Sequence, residues 1–256
     1  MKKRSIVQKL FAIAAAAALS LSLSACNGNS VSSSDGPGVT PGGSQESSQP
    51  NGGKTYKVAI IKQMDHASLD EIAQAVEQRL DEIAAQNGVA IQHETTSGQN
   101  DQGTLKQLAD QAIADGADVI IPIATTAAKI AALSAGETKT PVVFAAVSYP
   151  AEESVALTGL DYVTGTSDAL NTKFIIDLML AQNPELSKVG LLYCLSEDNS
   201  ATPIAEAKEY LDSRSIPYSV QTANSNDEVV AAVSALIAEG VDAVFTPTDN
   251  VIQSAE

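Results

Sequence analysis

The chain has 256 residues, 44% of them apolar, which suffices for one large domain or two of ordinary size and excludes a disordered or collagen-like chain. Its formal charge is −16, from 15 Lys+Arg against 31 Asp+Glu, and such acidity repels phosphate backbones, so nucleic-acid binding is not expected. Two His and two Cys, with no Cys-x-x-Cys or His-x-x-x-His spacing, make no zinc motif, and neither a metal nor a cofactor is expected.

The N-terminus carries Lys2, Lys3, Arg4 and Lys9, followed from Phe11 to Leu23 by a run of small and apolar residues too short to span a bilayer comfortably. Residues 1–25 therefore read as an export signal. The run ends in Leu23-Ser24-Ala25-Cys26, which resembles the lipobox of bacterial lipoproteins. That resemblance implies cleavage before Cys26, lipid on its thiol with palmitate-like acyl chains, and a protein held on the outer face of the cell membrane. Removal of the signal leaves 11 basic against 31 acidic residues and a charge of −20. Residues 26–54, rich in Gly, Ser, Pro, Asn and Gln, cannot offset their own ordering entropy and read as a flexible tether. Gly53-Lys54-Thr55 is no phosphate loop, because Ser48 stands where the motif needs Gly and no strand precedes it.

From Tyr56 short β-branched runs alternate with segments of helical period, the pattern of parallel strands covered by helices. Tyr56 to Ile61 is a strand. Ser68-Leu69-Asp70-Glu71 has capping-box order, and Ile72, Val76, Leu80 and Ile83 carry a helical stripe to Gly88. Val89 to Glu94 is a strand, Gln102 to Asp115 a helix stopped at Gly116, and Asp118 to Ile123 a third strand. Thr125 and Thr126 open the next helix, Pro141 to Val147 is a fourth strand, and a short strand is expected near Ala156 to Leu160. Asn171 to Ala181 reads as a helix leading into the second half. Cys194 lies at the end of the apolar run Val189 to Tyr193 and reads as a packed, unpaired thiol.

The second half repeats the first. Lys57-Val58-Ala59-Ile60-Ile61 answers Lys188-Val189-Gly190-Leu191-Leu192, and Ile113-Ala114-Asp115-Gly116-Ala117-Asp118 answers Ile237-Ala238-Glu239-Gly240-Val241-Asp242. Two Rossmann-like α/β lobes with parallel sheets are expected, residues 55–165 and 166–256. Ligands of such sheets bind beyond the carboxyl ends of the strands, so facing lobes make a cleft lined by helix N-termini. The segments that fall there are Asp65-His66-Ala67-Ser68, Ala124-Thr125-Thr126, Glu197-Asp198-Asn199-Ser200 and Thr248-Asp249-Asn250. Hydroxyls and free N–H groups at Thr125 and Thr126 suit a carboxylate, and Asp249 at the equivalent place in the other lobe suits an ammonium. Any of these residues can equally be a plain helix cap. His66 and His93 read as surface or structural residues, and Tyr149 either stacks on a ligand ring or follows a strand.

These residues also carry a family resemblance. His66-Ala67-Ser68-Leu69-Asp70, the run Gly116 to Ala128, Pro141 to Val147, Thr164 to Asp168, Glu197 to Ser200 and Thr248 to Asn250, in that order, resemble solute-binding proteins of ABC transporters. The resemblance covers Tyr56 to Glu256. It implies a type I periplasmic-binding-protein fold and a monomeric receptor that closes on a small solute, with an amino acid, aromatic in particular, as the expected class. It further implies delivery to an ABC permease and its ATPase, with no reaction catalysed. Carried over by motif, Thr125, Thr126, Asn199, Ser200, Asp249 and Asn250 would line the ligand, with Ser68, Ser148 and Asp168 beside them. Ser148-Tyr149-Pro150 stands where the family commonly has a Thr-Asp-Pro-like turn, which leaves the ligand's identity open. The chain also ends at Glu256 as a helix should begin, so a second lobe incomplete by on the order of 70 residues is expected, with an exposed strand edge. A surface sensor would use the same lobes. A secreted α/β hydrolase would need a Gly-x-Ser-x-Gly elbow, which is absent from the sequence.

Overall fold

The computed structural model describes residues 54–255. The export signal, Cys26 and all but the last residue of the tether lie outside the described residues. The first half runs β1 (Thr55–Lys62), α1 (Ala67–Asn87), β2 (Ala90–Ser97), α2 (Gln102–Ala114), β3 (Val119–Ile123), α3 (Thr125–Ser134), β4 (Val142–Val147) and β5 (Val163–Ser167). The second half runs α4 (Thr172–Gln182), β6 (Val189–Tyr193), α5 (Asp198–Ser213), β7 (Tyr218–Thr222), α6 (Asn226–Ala238), β8 (Ala243–Phe245) and α7 (Asn250–Gln253). The strands form two all-parallel sheets, ordered β2-β1-β3-β4-β5 and β7-β6-β8.

Burial follows from the crossovers, which lay helices on both faces of a parallel sheet. On one face of the first sheet α1 packs Leu69 and Ala73 against Val58 and Ile60, and on the other α2 and α3 bring Leu105, Ala109, Ala127 and Ala131 against Ile61 and Ile120. The central strand of the second sheet, β6, is covered by α4 and α5 through Ile176, Ile204 and Leu211, and by α6 through Val229 and Leu236.

The internal repeat has a structural meaning. Lys57 N–H donates to the Asp118 carboxylate (2.8 Å) and its ammonium to the Asp115 carbonyl (3.0 Å). In the second half Lys188 N–H donates to Asp242 (2.9 Å) and its ammonium to the Glu239 carbonyl (2.9 Å). Each aspartate thus ties the start of a central strand to the turn that enters its neighbour. Gly116 and Gly240 reverse that turn at φ 74° and 75°, in the left-handed region where a Cβ is penalised.

Two expectations are corrected. No strand lies at Ala156 to Leu160: Val155 and Leu157 are buried within turns pinned by Glu152 and Pro150 carbonyls, and the edge strand is β5 at Val163–Ser167. Apolar spacing there marks side chains that plug the core between α3 and β4, not a ladder. In α1 the N-cap is His66, so Ser68 sits inside the first turn and no capping box forms.

Gly98, which leaves β2 and donates to the Lys62 carbonyl (2.9 Å), has no room for a side chain. A Cβ there would stand 2.2 Å from Leu105 Cδ2, and Leu105 is fully enclosed. Gly98→Ala is expected to destabilise the fold by roughly 1 to 3 kcal/mol, as overpacking does. Urea unfolding checks this, and an unchanged midpoint would refute the packing argument.

Candidate functional site

Parallel strands that each lead into a helix bring the helix starts together at the carboxyl edge of the sheets. The first backbone N–H groups of each helix lack an intrahelical acceptor and must be met otherwise. Four helices meet them with their own cap side chains: Asp101 for α2, Asn171 for α4, Ser225 for α6 and Asp249 for α7. Three do not. The N-cap residues of α1, α3 and α5 are His66, Ala124 and Glu197, and none makes a side-chain cap bond. These three starts face one cavity of about 240 Å³, lined by Ser68, Leu69, Ile72, Ala124, Thr125, Ala146, Ser148, Asp168, Asn199, Thr248, Asn250 and Gln253. A larger groove of about 610 Å³ lies along β1, β2 and α2, but it follows a sheet face and no helix start opens into it.

The expected residues divide accordingly. Ser68, Thr125, Ser148, Asp168, Asn199 and Asn250 line the cavity; Thr126, Ser200 and Asp249 do not. Asp249 is wholly buried, and its carboxylate accepts from Cys194 N–H (2.7 Å), Ser200 Oγ (2.7 Å) and Ile252 N–H (3.1 Å). It is thus committed to its own lobe, with Ser200 as one of its donors, and acts as the plain cap that its residue type allows. The Thr126 N–H is met by Gln63 Oε1 at 3.1 Å. Tyr149 lies outside the lining and donates its hydroxyl to the Leu170 carbonyl (3.3 Å). Cys194 is buried and, among the described residues, unpaired, and burial raises its thiol pKa.

The cavity's polar groups are unevenly satisfied. Asp168 Oδ1 accepts from Ser148 Oγ (2.7 Å), and Ser148 Oγ also meets Thr248 Oγ1 (3.2 Å). Asn199 donates to the Thr248 carbonyl, while its Oδ1 is buried with no partner among the described residues. Backbone strain sits in the same place. Ala124 adopts φ 77°, ψ 165°, a region that normally needs glycine, and Ala146 in the lining has φ 53°.

Two residues with no assigned role in the sequence reading bind this region together. Gln63, fully buried at the end of β1, donates to Asn100 Oδ1 (2.9 Å) and to Glu197 Oε1 (2.8 Å). Glu197 also accepts from Asn250 Nδ2 (2.8 Å), and Asn250 Oδ1 meets His66 Nε2 (3.3 Å). Lys129 and Asp198 pair nearby. Glu197 lay in a segment singled out by topology; Gln63, a lone amide after a strand, carried no sequence signal.

With the geometry established, comparison with known proteins is decisive for the family. The model of the ABC transporter substrate binding protein family matches residues 57–256. The chain belongs to that family. It is 27% identical over 216 residues to a tyrosine-binding protein of Clostridioides difficile (strain R20291), a match covering 83% of this chain and 61% of that protein's length. Among solved structures it resembles an ABC domain in complex with L-Trp from Streptococcus pneumoniae, at 28% identity and TM-score 0.71, covering 79% of this chain and 68% of the other. It also resembles a substrate binding protein with adhesive properties from Clostridium difficile, in its ligand-free, open structure, at 25% identity and TM-score 0.55, covering 77% and 67%. The two parallel sheets are those of type I periplasmic-binding proteins.

Burial pushes the Glu197 carboxyl from 4.5 up to about 7, aided by the charge of Asp249 and opposed by the amides of Asn250, Gln63 and Asn199. The folded state therefore holds this proton more tightly than the unfolded chain. Stability is fully present below about pH 4.5 and declines as pH rises through about 7. The decline from this one group amounts to at most about 3 kcal/mol. Glu197→Gln is expected to remove that slope between pH 5 and 8, measured by denaturant unfolding against the parent protein. A parent curve and a variant curve of equal slope would refute the assignment.

Proposed function

We propose that this family member is the extracytoplasmic receptor of an ABC importer, anchored through lipid on Cys26. As a monomer it would close lobes 55–165 and 166–256 around a free amino acid and deliver it to a permease and its ATPase. The observation that carries the reading is the convergence of three uncapped helix starts and one carboxylate, Asp168, on a single small cavity. The helix dipoles of α1 and α3, with those first-turn N–H groups other than the Thr126 N–H that Gln63 already meets, attract a carboxylate, and the hydroxyls of Ser68 and Thr125 stand beside them. The ammonium falls to acceptors: Asp168, and the orphan Oδ1 of Asn199, which needs a donor to offset its burial. Asp249, with three donors of its own lobe around it, is replaced in that role by these two. Thr126, Ser200 and Asp249 then act behind the surface, while Asn250 and Ser148 face the solute.

A volume of about 240 Å³ lies just under the roughly 300–1,000 Å³ typical of drug-sized ligands and suits a solute of amino-acid size. Leu69, Ile72 and Ala124 give it an apolar wall on the lobe-one side. An aromatic amino acid is favoured, supported by the tyrosine-binding name of the C. difficile relative and the L-Trp complex of the S. pneumoniae structure. No bond is made or broken; binding shifts the lobes towards their closed arrangement.

Calorimetric titration of the full-length protein with free amino acids, and with their N-acetyl and methyl-ester derivatives, tests this. Free L-tyrosine or L-tryptophan is expected to bind, and blocking either charged end to abolish binding. The chain contains no Trp, so the emission of bound L-tryptophan stands clear of its own. Asp168→Asn, at a half-buried carboxylate, is expected to weaken binding by about 1.5 to 3 kcal/mol, the scale for losing a hydrogen bond to a charged group. Equal affinity for the N-acetyl derivative would sink the ammonium site.

A further inference from the structure

Among the described residues, four side-chain pairs around the cavity join the first half, through β5, to the second half, from α4 on: Gln63 to Glu197, His66 to Asn250, Ser148 to Thr248, and Lys129 to Asp198. Only the first is buried at both ends. Gln63 is rigid on the lobe-one side. Its N–H donates to the Ile123 carbonyl (3.1 Å), its carbonyl accepts from Asn100 N–H (2.9 Å), and its side-chain oxygen accepts from Thr126 N–H (3.1 Å) at the uncapped start of α3. The last bond fixes which way the amide points, because an N–H can meet only the oxygen. The NH₂ group must then face Glu197. Glu197 is equally fixed in lobe two, as N-cap of α5 and acceptor of Asn250 Nδ2.

We propose that Gln63 is a positioning residue that couples lobe closure to the solute-holding end of α3, through a hydrogen bond to Glu197 that exists only while the lobes are closed. The proposal rests on the reading that the solute sits between the lobes. Gln63 is absent from the cavity lining, so it acts on the solute only through α3 and through the lobes' separation. Neither end of the bond can follow the other apart, since each is anchored by its own lobe's backbone. Opening therefore breaks it outright and returns Glu197 to water.

The test uses the full-length protein, by small-angle X-ray scattering without added solute and by stopped-flow release of bound L-tryptophan. Gln63→Ala is expected to enlarge the radius of gyration and to speed release by roughly tenfold or more, with association changed much less, as loss of a hydrogen bond to a charged group predicts. Because that variant also strips a partner from Thr126 N–H, a second pair of variants separates closure from local damage. Measured well above pH 7, where Glu197 is ionised, Gln63→Glu keeps the acceptor for Thr126 but sets two carboxylates face to face, and is expected to open the protein as Ala does. Adding Glu197→Gln restores an amide–carboxylate pair and is expected to recover both the compact scattering and the slow release. Unchanged scattering in Gln63→Ala, or a folded double variant that stays open, would overturn the proposal. Should L-tryptophan fail to bind the parent protein, the solute reading fails alone, and the scattering of the three variants still decides on the latch.

Discussion

A helix that follows a parallel strand starts with N–H groups that nothing in the helix can accept, and the sheet delivers every such start to the same edge. What each start does with those donors organises this molecule. Where the neighbourhood is structural, the chain supplies a cap: Asp101, Asn171 and Ser225 each accept from an N–H of their own helix. At the cavity, the starts of α1, α3 and α5 go without one, while α7, which borders the same cavity, keeps Asp249. Position in the topology alone would give seven equivalent helix ends; the choice of cap residue makes three of them different.

The buried polar groups around that edge are costly in isolation and persist because they satisfy one another. A carboxylate as enclosed as that of Glu197 loses its hydration, and the amides of Asn250, Gln63 and Asn199 replace only part of it, which is why its proton is held up to about pH 7. Gln63 is the piece that makes the arrangement consistent. One amide group serves an orphan N–H of α3, a loop side chain of lobe one and the carboxylate of lobe two, using its oxygen once and its nitrogen twice. Removing any of the three partners leaves a buried polar atom unmet, so the network transmits a change at one lobe to the other.

Much of the fold was legible because periodicity and punctuation agree. Strand–helix alternation gave the order of elements through α5, and the paired turns at Gly116 and Gly240 were visible as a repeat because the same φ > 0 position and the same aspartate bond are needed twice. The strand expected at Ala156 to Leu160 was misplaced, since a buried Val155 and Leu157 in turns produce the same alternation as a ladder. At the proposed site, topology singled out loops that border the cavity, and six of the expected side chains line it. It could not say which aspartate is free, because a cap and a ligand carboxylate are the same residue type at the same position. Asp249 went to the cap, and Asp168, beyond the end of an edge strand, remained. Gln63 was illegible for a related reason: its role exists only through residues far away in sequence, Thr126 and Glu197.

The two lobes solve the same position in opposite ways, and the contrast bears on the direction in which a solute would lie. The helix after the third strand of each lobe begins at Ala124 in lobe one and at Asp249 in lobe two. Asp249 quenches its helix start with a buried negative charge. Ala124 offers no acceptor and is held at φ 77°, ψ 165°, a strain of order 1 to 3 kcal/mol that a glycine would avoid. The result is an electrostatic asymmetry around one cavity, between backbone donors at the starts of α1 and α3 and two acceptors. The helix starts present partial positive charge; Asp168, tied to Ser148 and to the Val147 carbonyl, presents a negative charge, and the Asn199 amide oxygen a partial one. On the proposed reading, a molecule with one anionic and one cationic end meets both demands in a single orientation, whereas a neutral sugar of the same size would leave the helix starts and the half-buried Asp168 carboxylate without counter-charges.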